Sequence, residues 1–255
     1  MKWKKPGNVL GAIISLYVLT KKKMIDIRGR VVVRAGAGTG KTKSLIDCYE
    51  KALDMVIKNY GERGVEKVLA LTFSRMATKE IRERVLRRFK EKGTLTDTIR
   101  YNLSIFTIDS FCSRILRENA IEIGLKPDFK ILDEAESKVL FYKVSQDLLK
   151  SEVKIPDFET TNTIDEILSN AYTAIVRLRQ RGVGYDDMEL ESEKDKFLYY
   201  LYYNYENSLK KENAFDFSSL LLFTYKILKD RRDILFNLQE KYDYIFVDEY
   251  QDTSI

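Results

Sequence analysis

The stretch Val31-Val-Val-Arg-Ala-Gly-Ala-Gly-Thr-Gly-Lys-Thr42 decides the fold. Three consecutive valines make a short apolar strand, the next turn holds Gly36, Gly38 and Gly40, and a helix-forming sequence follows. The glycines let the backbone curl so that successive N–H groups of residues 35–40 face inward, a shape that cradles phosphate oxygens. The N-terminus of the helix that follows adds its partial positive charge. Lys41 is long enough to reach the β- and γ-phosphates of a nucleotide, and the Thr42 hydroxyl suits a Mg²⁺ ion. The candidate phosphate site is therefore Ala35, Gly36, Ala37, Gly38, Thr39, Gly40, Lys41 and Thr42, with Ala35 standing where such loops usually open on glycine.

Working outward, residues 31–34, 68–73, 104–109 and 244–248 are short, nearly continuous apolar runs, the pattern of strands buried on both faces of a parallel sheet. Helical spacing follows the first three. Leu45, Ile46, Tyr49, Leu53, Val56 and Ile57 mark one face, then Ile81, Val85, Leu86 and Phe89, then Phe111, Ile115 and Leu116. Alternation of strand and helix predicts an α/β fold with a parallel sheet covered by helices on both faces. Between residues 126 and 241 helical periodicity dominates and no strand is evident before Tyr244. The expected organisation is an α/β domain of residues 1–125 and 215–255, interrupted by a helical insertion at 126–214.

The second chemical signal is Tyr244-Ile-Phe-Val-Asp-Glu-Tyr-Gln-Asp-Thr-Ser254. An apolar strand delivers Asp248 and Glu249 to the carboxyl edge of the sheet, where ligands of open α/β sheets bind. Asp248 can hold the Mg²⁺ of a magnesium nucleotide, and Glu249 can take a proton from an attacking water. An Asp-Glu pair alone can simply cap a helix; with the glycine-rich loop it makes a site for ATP hydrolysis.

Absence of histidine from the 255 residues excludes Ser-His-Asp and Cys-His catalysis and any His-ligated metal within them. Cys48 and Cys112 are isolated and read as reduced core thiols rather than a disulfide. The apolar run at 9–19 is too short to span a bilayer as a helix and lacks a small-residue cleavage site after it, so a cytoplasmic protein without membrane association is expected. The net charge of +5 is modest, but Arg75, Lys79, Arg82, Arg84, Arg87, Arg88, Lys90 and Lys92 outnumber Glu80, Glu83 and Glu91 in one helical stretch. That stretch fits either a phosphate-binding surface or a solvated helix face.

Together, residues 35–42 and Asp248-Glu-Tyr-Gln-Asp-Thr253 resemble motifs I and II of superfamily 1 DNA helicases of the UvrD/Rep (PcrA) type, with features closer to AddA/RecB. Leu71-Thr-Phe-Ser-Arg-Met-Ala77 and Phe106-Thr-Ile-Asp-Ser-Phe-Cys-Ser-Arg-Ile-Leu-Arg117 resemble that family's DNA-contacting motifs, and Asp216-Phe-Ser-Ser-Leu-Leu221 resembles the segment returning from its helical insertion. The resemblance implies a P-loop, RecA-like motor domain using ATP and Mg²⁺. In it Lys41, Glu249 and Gln251 would be catalytic, Gln251 sensing the γ-phosphate. Thr72, Phe73, Ser74, Arg75, Thr107, Asp109, Ser110 and Phe111 would line the path of single-stranded DNA, hydroxyls meeting phosphates and aromatics stacking on bases.

Two residues depart from the pattern. Lys23 stands where the family carries an adenine-reading glutamine, and Asp109 stands where histidine is frequent. A second motor domain is expected from a longer gene product or a partner chain, because the family completes its ATP site with arginines from there. The expected function is a DNA helicase or translocase motor, 3′ to 5′ by resemblance, which without that second domain unwinds nothing. The alternative is a catalytically incomplete nucleotide- or DNA-binding module. A small-molecule kinase would account for the loop but not for Gln251 or the DNA-like motifs.

Overall fold

A computed structural model describes residues 41–151, 155–157 and 163–248, with the backbone alone at Lys41 and Thr42. The expected strand at 31–34, the phosphate loop at 35–40, Lys23, Glu249 and Gln251 lie outside the described residues. In chain order the elements are α1 (Lys41–Tyr60), β1 (Val68–Thr72), α2 (Arg75–Glu91), α3 (Asp97–Asn102), β2 (Ser104–Thr107), α4 (Ile108–Glu118) and β3 (Lys130–Leu132). There follow α5 (Glu134–Lys150), α6 (Ile164–Gln180), α7 (Glu193–Lys211), β4 (Ala214–Asp216), α8 (Phe217–Asp230), α9 (Arg232–Lys241) and β5 (Tyr244–Val247). The chain packs as two compact units, whose described parts are residues 41–111 with 228–248, and residues 112–151, 155–157 and 163–227.

In the first unit β2, β1 and β5 form a wholly parallel sheet in that order. All five residues of β1 are buried, which is why its sequence is apolar without alternation. Val68 and Ala70 face the α1/α2 side with their register partners Ile105, Tyr244 and Phe246. On α1 the residues Ile46, Tyr49, Leu53 and Val56 recur three or four apart and are fully buried, so helical spacing alone builds that face. The Tyr49 hydroxyl donates to the Val68 carbonyl at 3.1 Å and its ring meets Phe246 edge-on at 5.5 Å. Burial pushes that phenol far above its ordinary pKa, so it stays a donor at any working pH.

Close approach sets one position in this unit. In the 3-10 turn Glu62–Lys67, a Cβ on Gly64 would stand 2.5 Å from the carbonyl oxygen of Val56. The obstacle is backbone and cannot rotate aside. Gly64→Ala is expected to lower stability by about 1–3 kcal/mol, read from the denaturant midpoint; an unchanged midpoint would mean the turn can lift off α1 freely.

The second unit packs α5, α6 and α7 around Phe141, Leu168, Tyr172, Ile175, Leu201, Tyr202 and Tyr205. Each helix begins at a reciprocal cap, Asp133 with Glu136, Thr163 with Glu166 and Ser192 with Asp195. The side chain of the first residue and the carboxylate three residues on satisfy each other's backbone N–H groups. The absence of strands expected between 126 and 241 does not hold: β3 and β4 pair in parallel, Leu132 beside Asp216. Each has three residues, too few for an alternating pattern to register.

Asp216 anchors a buried ionic cluster. Arg179, which is 0% exposed, donates to Asp216 and to Glu206 at 2.6 Å each. The Tyr205 hydroxyl donates to the same Asp216 oxygen at 2.8 Å, and the Ser219 amide donates to the other at 2.7 Å. The Arg179 guanidinium also lies over the rings of Tyr202 and Tyr205, at 5.0 and 5.1 Å. Both cysteines are free thiols, Cys112 buried and Cys48 half-buried. Among the described residues no helix is long and apolar enough to cross a membrane.

Candidate nucleotide and nucleic-acid site

Register decides which residues meet. Thr72 sits beside Thr107, and Leu71 beside both Phe106 and Val247, so β1, β2 and β5 end at one level. The Asp248 amide donates to the Leu71 carbonyl at 2.9 Å, which continues the ladder one residue past β5. Residues 73–75, residues 108–110 and Asp248 therefore leave the sheet together at its carboxyl edge. Three segments far apart in sequence form one rim.

After β1, the Thr72 hydroxyl is enclosed and lies 2.6 Å from that of Thr78 and 3.0 Å from the Ser74 carbonyl. Ser74 caps α2 by accepting from the Ala77 amide. This turn leaves Phe73 59% and Met76 83% exposed, with Arg75 exposed between them. Phe73 is thus available for stacking, not part of the core.

After β2, the Thr107 side chain accepts from the Ser110 amide at 3.2 Å, and the two hydroxyls lie 2.7 Å apart. Asp109 is half-buried, and burial raises its carboxyl above the usual range. Phe111 is 6% exposed, packed between Phe106 at 6.4 Å and Tyr242 at 5.9 Å. Of the expected DNA contacts, the Thr72 and Phe111 side chains are inside rather than on the rim surface. The motif carries an aromatic at residue 111 because the helix face there packs on the sheet.

The basic stretch also resolves. Arg88 bridges Asp47 and Glu50 at 2.6 Å each, Arg82 donates to the Leu103 carbonyl at 3.0 Å, and Lys92 reaches Asp54 at 3.4 Å. Lys79 and Arg84 pair with Glu83 and Glu80 on the same helix. Arg82, Arg88 and Lys92 thereby fasten α2 to its neighbours, while Lys79 and Arg84 pair only within it; Arg75, Arg87 and Lys90 remain exposed on it.

Among the described residues, two features suit a magnesium nucleotide. Asp248 brings a carboxylate to the rim, the kind of hard oxygen ligand that Mg²⁺ takes. Helix α1 carries no acid in its first turn, which suits an anion near its N-terminus. Among the described residues no cluster of three or more His, Cys, Asp or Glu side chains could hold a metal without a ligand's help. Nothing in the sequence marks Thr78 or Met76: Thr78 lies just past the stretch 71–77, and Met76 lies inside it but is neither a hydroxyl nor an aromatic.

A parallel α/β domain with three chain segments converging at the strand carboxyl ends is a nucleotide-binding architecture. The sequence matches the UvrD/REP helicase N-terminal domain over residues 19–255. Similar proteins include a probable DNA helicase II homolog of Mycoplasma capricolum, 29% identical over 91% of this chain and 30% of its own length. The ATP-dependent DNA helicase PcrA of Staphylococcus aureus is 30% identical over 89% of this chain and 28% of its own. A probable DNA helicase II homolog of Rickettsia felis is 30% identical over 92% and 33% respectively. The chain belongs to the UvrD/REP helicase N-terminal domain family. It spans about a third or less of the length of these relatives.

Asp109 allows a test of the rim. A raised carboxyl pKa means that the folded state binds a proton more tightly than the unfolded chain, so stability falls as pH rises from the ordinary Asp value through the raised one. Asp109→Asn is expected to add a small gain in stability at neutral pH; an unchanged denaturant midpoint would mean that the carboxyl is solvated in the folded chain.

Proposed function

We propose that this chain is the ATP-binding first motor domain, with its inserted helical unit, of a single-strand DNA translocase or helicase. The observation that carries the reading is the common rim, where Asp248 stands level with two hydroxyl-bearing turns and an exposed Phe73. The names of the relatives, DNA helicase II and ATP-dependent DNA helicase, support ATP as fuel and DNA as substrate.

In this reading Lys41 and the amides of residues 35–40 bind the phosphates, and Thr42 and Asp248 hold Mg²⁺, which screens charge on the phosphates. Glu249 accepts the proton of the attacking water, and Gln251 links the γ-phosphate to movement. Phe73 stacks on a base while Ser74, Arg75, Thr107 and Ser110 meet the backbone. The motor domain is assigned to 1–125 with 215–255 and the insertion to 126–214, although packing divides the chain at 112 and 227, inside α4 and α8. A second motor domain, in a longer product or a partner chain, supplies the remaining charge to the ATP site. Translocation runs 3′ to 5′ in the cytoplasm, where ATP is available.

ATP hydrolysis by the chain, with and without single-stranded DNA, beside Lys41→Ala tests the proposal. Turnover stimulated by DNA, or nucleotide binding without turnover, each lost in the variant, supports a motor half. The chain alone is expected to bind nucleotide and not to unwind duplex. No nucleotide binding by the parent chain would overturn the assignment. The Lys23 substitution at the adenine-reading position makes that result the mark of a DNA-binding module without turnover.

A further inference from the structure

The turn that presents Phe73 is held by a residue outside the motif that names it. We infer that Thr78 is a positioning residue for the single-strand contact, resting on the proposed DNA-binding function. Its hydroxyl lies 2.6 Å from that of Thr72, the last residue of β1, and donates to the Ser74 carbonyl at 3.1 Å. The Thr72 hydroxyl reaches the same carbonyl at 3.0 Å, which also accepts the Thr78 amide at 3.0 Å. A threonine bonding four residues back is ordinary in a helix. The additional link to Thr72 is not. It ties the end of a buried strand to the first turn of α2 across the two-residue span that carries Phe73 and Ser74.

Without the Thr78 hydroxyl, Thr72 can still donate to the Ser74 carbonyl, which the Thr78 amide also serves, so no buried polar atom is orphaned; what is lost is the link that ties the α2 side chain to the end of the strand. The result is a turn whose Thr72 hydroxyl is enclosed while Phe73 and Met76 stand 59% and 83% exposed. Holding an aromatic out in water costs free energy unless the backbone leaves it no other place. The clamp supplies that restraint, and it pre-orders the turn that carries the exposed Phe73 ring for stacking on a base.

The test uses the full chain with Thr78→Val, which keeps the shape and loses the hydroxyl, and Thr78→Ser, which keeps the hydroxyl. Affinity is measured for a single-stranded oligonucleotide containing 2-aminopurine, whose fluorescence reports stacking, alongside thermal unfolding and nucleotide affinity. The valine variant is expected to lose on the order of fivefold in DNA affinity, the scale of one weakened base stack, together with the fluorescence change. Serine should restore both, with unfolding temperature and nucleotide affinity unchanged in either variant. Parent-like binding and fluorescence in Thr78→Val would overturn the role. So would a parallel loss of thermal stability and nucleotide binding, which marks a purely structural threonine. If the parent chain itself fails to bind the oligonucleotide, the DNA-binding function fails and the role of Thr78 goes with it.

Discussion

Arg179→Ala is expected to destabilise the unit of residues 112–227 by about 3–5 kcal/mol, a large part of the roughly 5–15 kcal/mol that holds a typical domain folded. The loss comes from what remains behind. Asp216 and Glu206 would keep their charges in a nearly enclosed site after losing contacts of 2.6 Å to the same guanidinium. Tyr202 and Tyr205 would lose the cation lying over their rings. Arg179→Lys keeps the charge but cannot bond two carboxylates in one plane, and should fall between parent and alanine variant. Hydrogen exchange of amides in 112–227 reads the effect locally; parent-like protection in Arg179→Ala would show that the cluster contributes nothing to stability.

The same cluster predicts a pH signature. Burial pushes the Asp216 carboxyl up, but Arg179, the Ser219 amide and the hydroxyls of Tyr205 and Ser218 more than offset it and hold it below the usual range. A depressed carboxyl contributes stability that is complete above the unfolded Asp value, about pH 4, and is lost as pH falls through the folded one. In Arg179→Ala the burial effect is left without its main opponent, so acidification toward that range should stabilise the variant while it does not stabilise the parent. Unfolding curves for both proteins across mildly acidic pH check the reversal.

Asp248→Asn is expected to weaken magnesium-dependent nucleotide binding and, once a second motor domain is supplied, to lower turnover on the order of a hundredfold or more. Asparagine keeps the shape and removes the charge that is proposed to hold Mg²⁺. The contact to the Leu71 carbonyl is made by the Asp248 backbone, so the ladder past β5 survives the change. Folding and Mg²⁺ chemistry are thereby separated. An affinity for nucleotide that depends on Mg²⁺ as in the parent would remove Asp248 from the metal site.

By itself the sequence determined the local features: the short apolar strands at 68–72, 104–107 and 244–247, and the helical faces marked by Ile46, Tyr49, Leu53 and Val56 and by Ile81, Val85 and Phe89. Those follow from continuous hydrophobicity and from side-chain spacing of three or four residues, both readable within a short window. What only the tertiary structure decided was the use of residues whose partners are distant. Phe73 and Phe111 sit in similar motifs, yet packing exposes one and buries the other between Phe106 and Tyr242. The basic run on α2 offers many cations, and contacts some 40 residues back to Asp47, Glu50 and Asp54 assign Arg88 and Lys92 to fastening helices. In Arg177-Leu-Arg-Gln-Arg181 the three arginines look alike, and only Arg179 is buried. Its carboxylate partners lie 27 and 37 residues away, and a charge can enter a protein interior only where such partners converge in space.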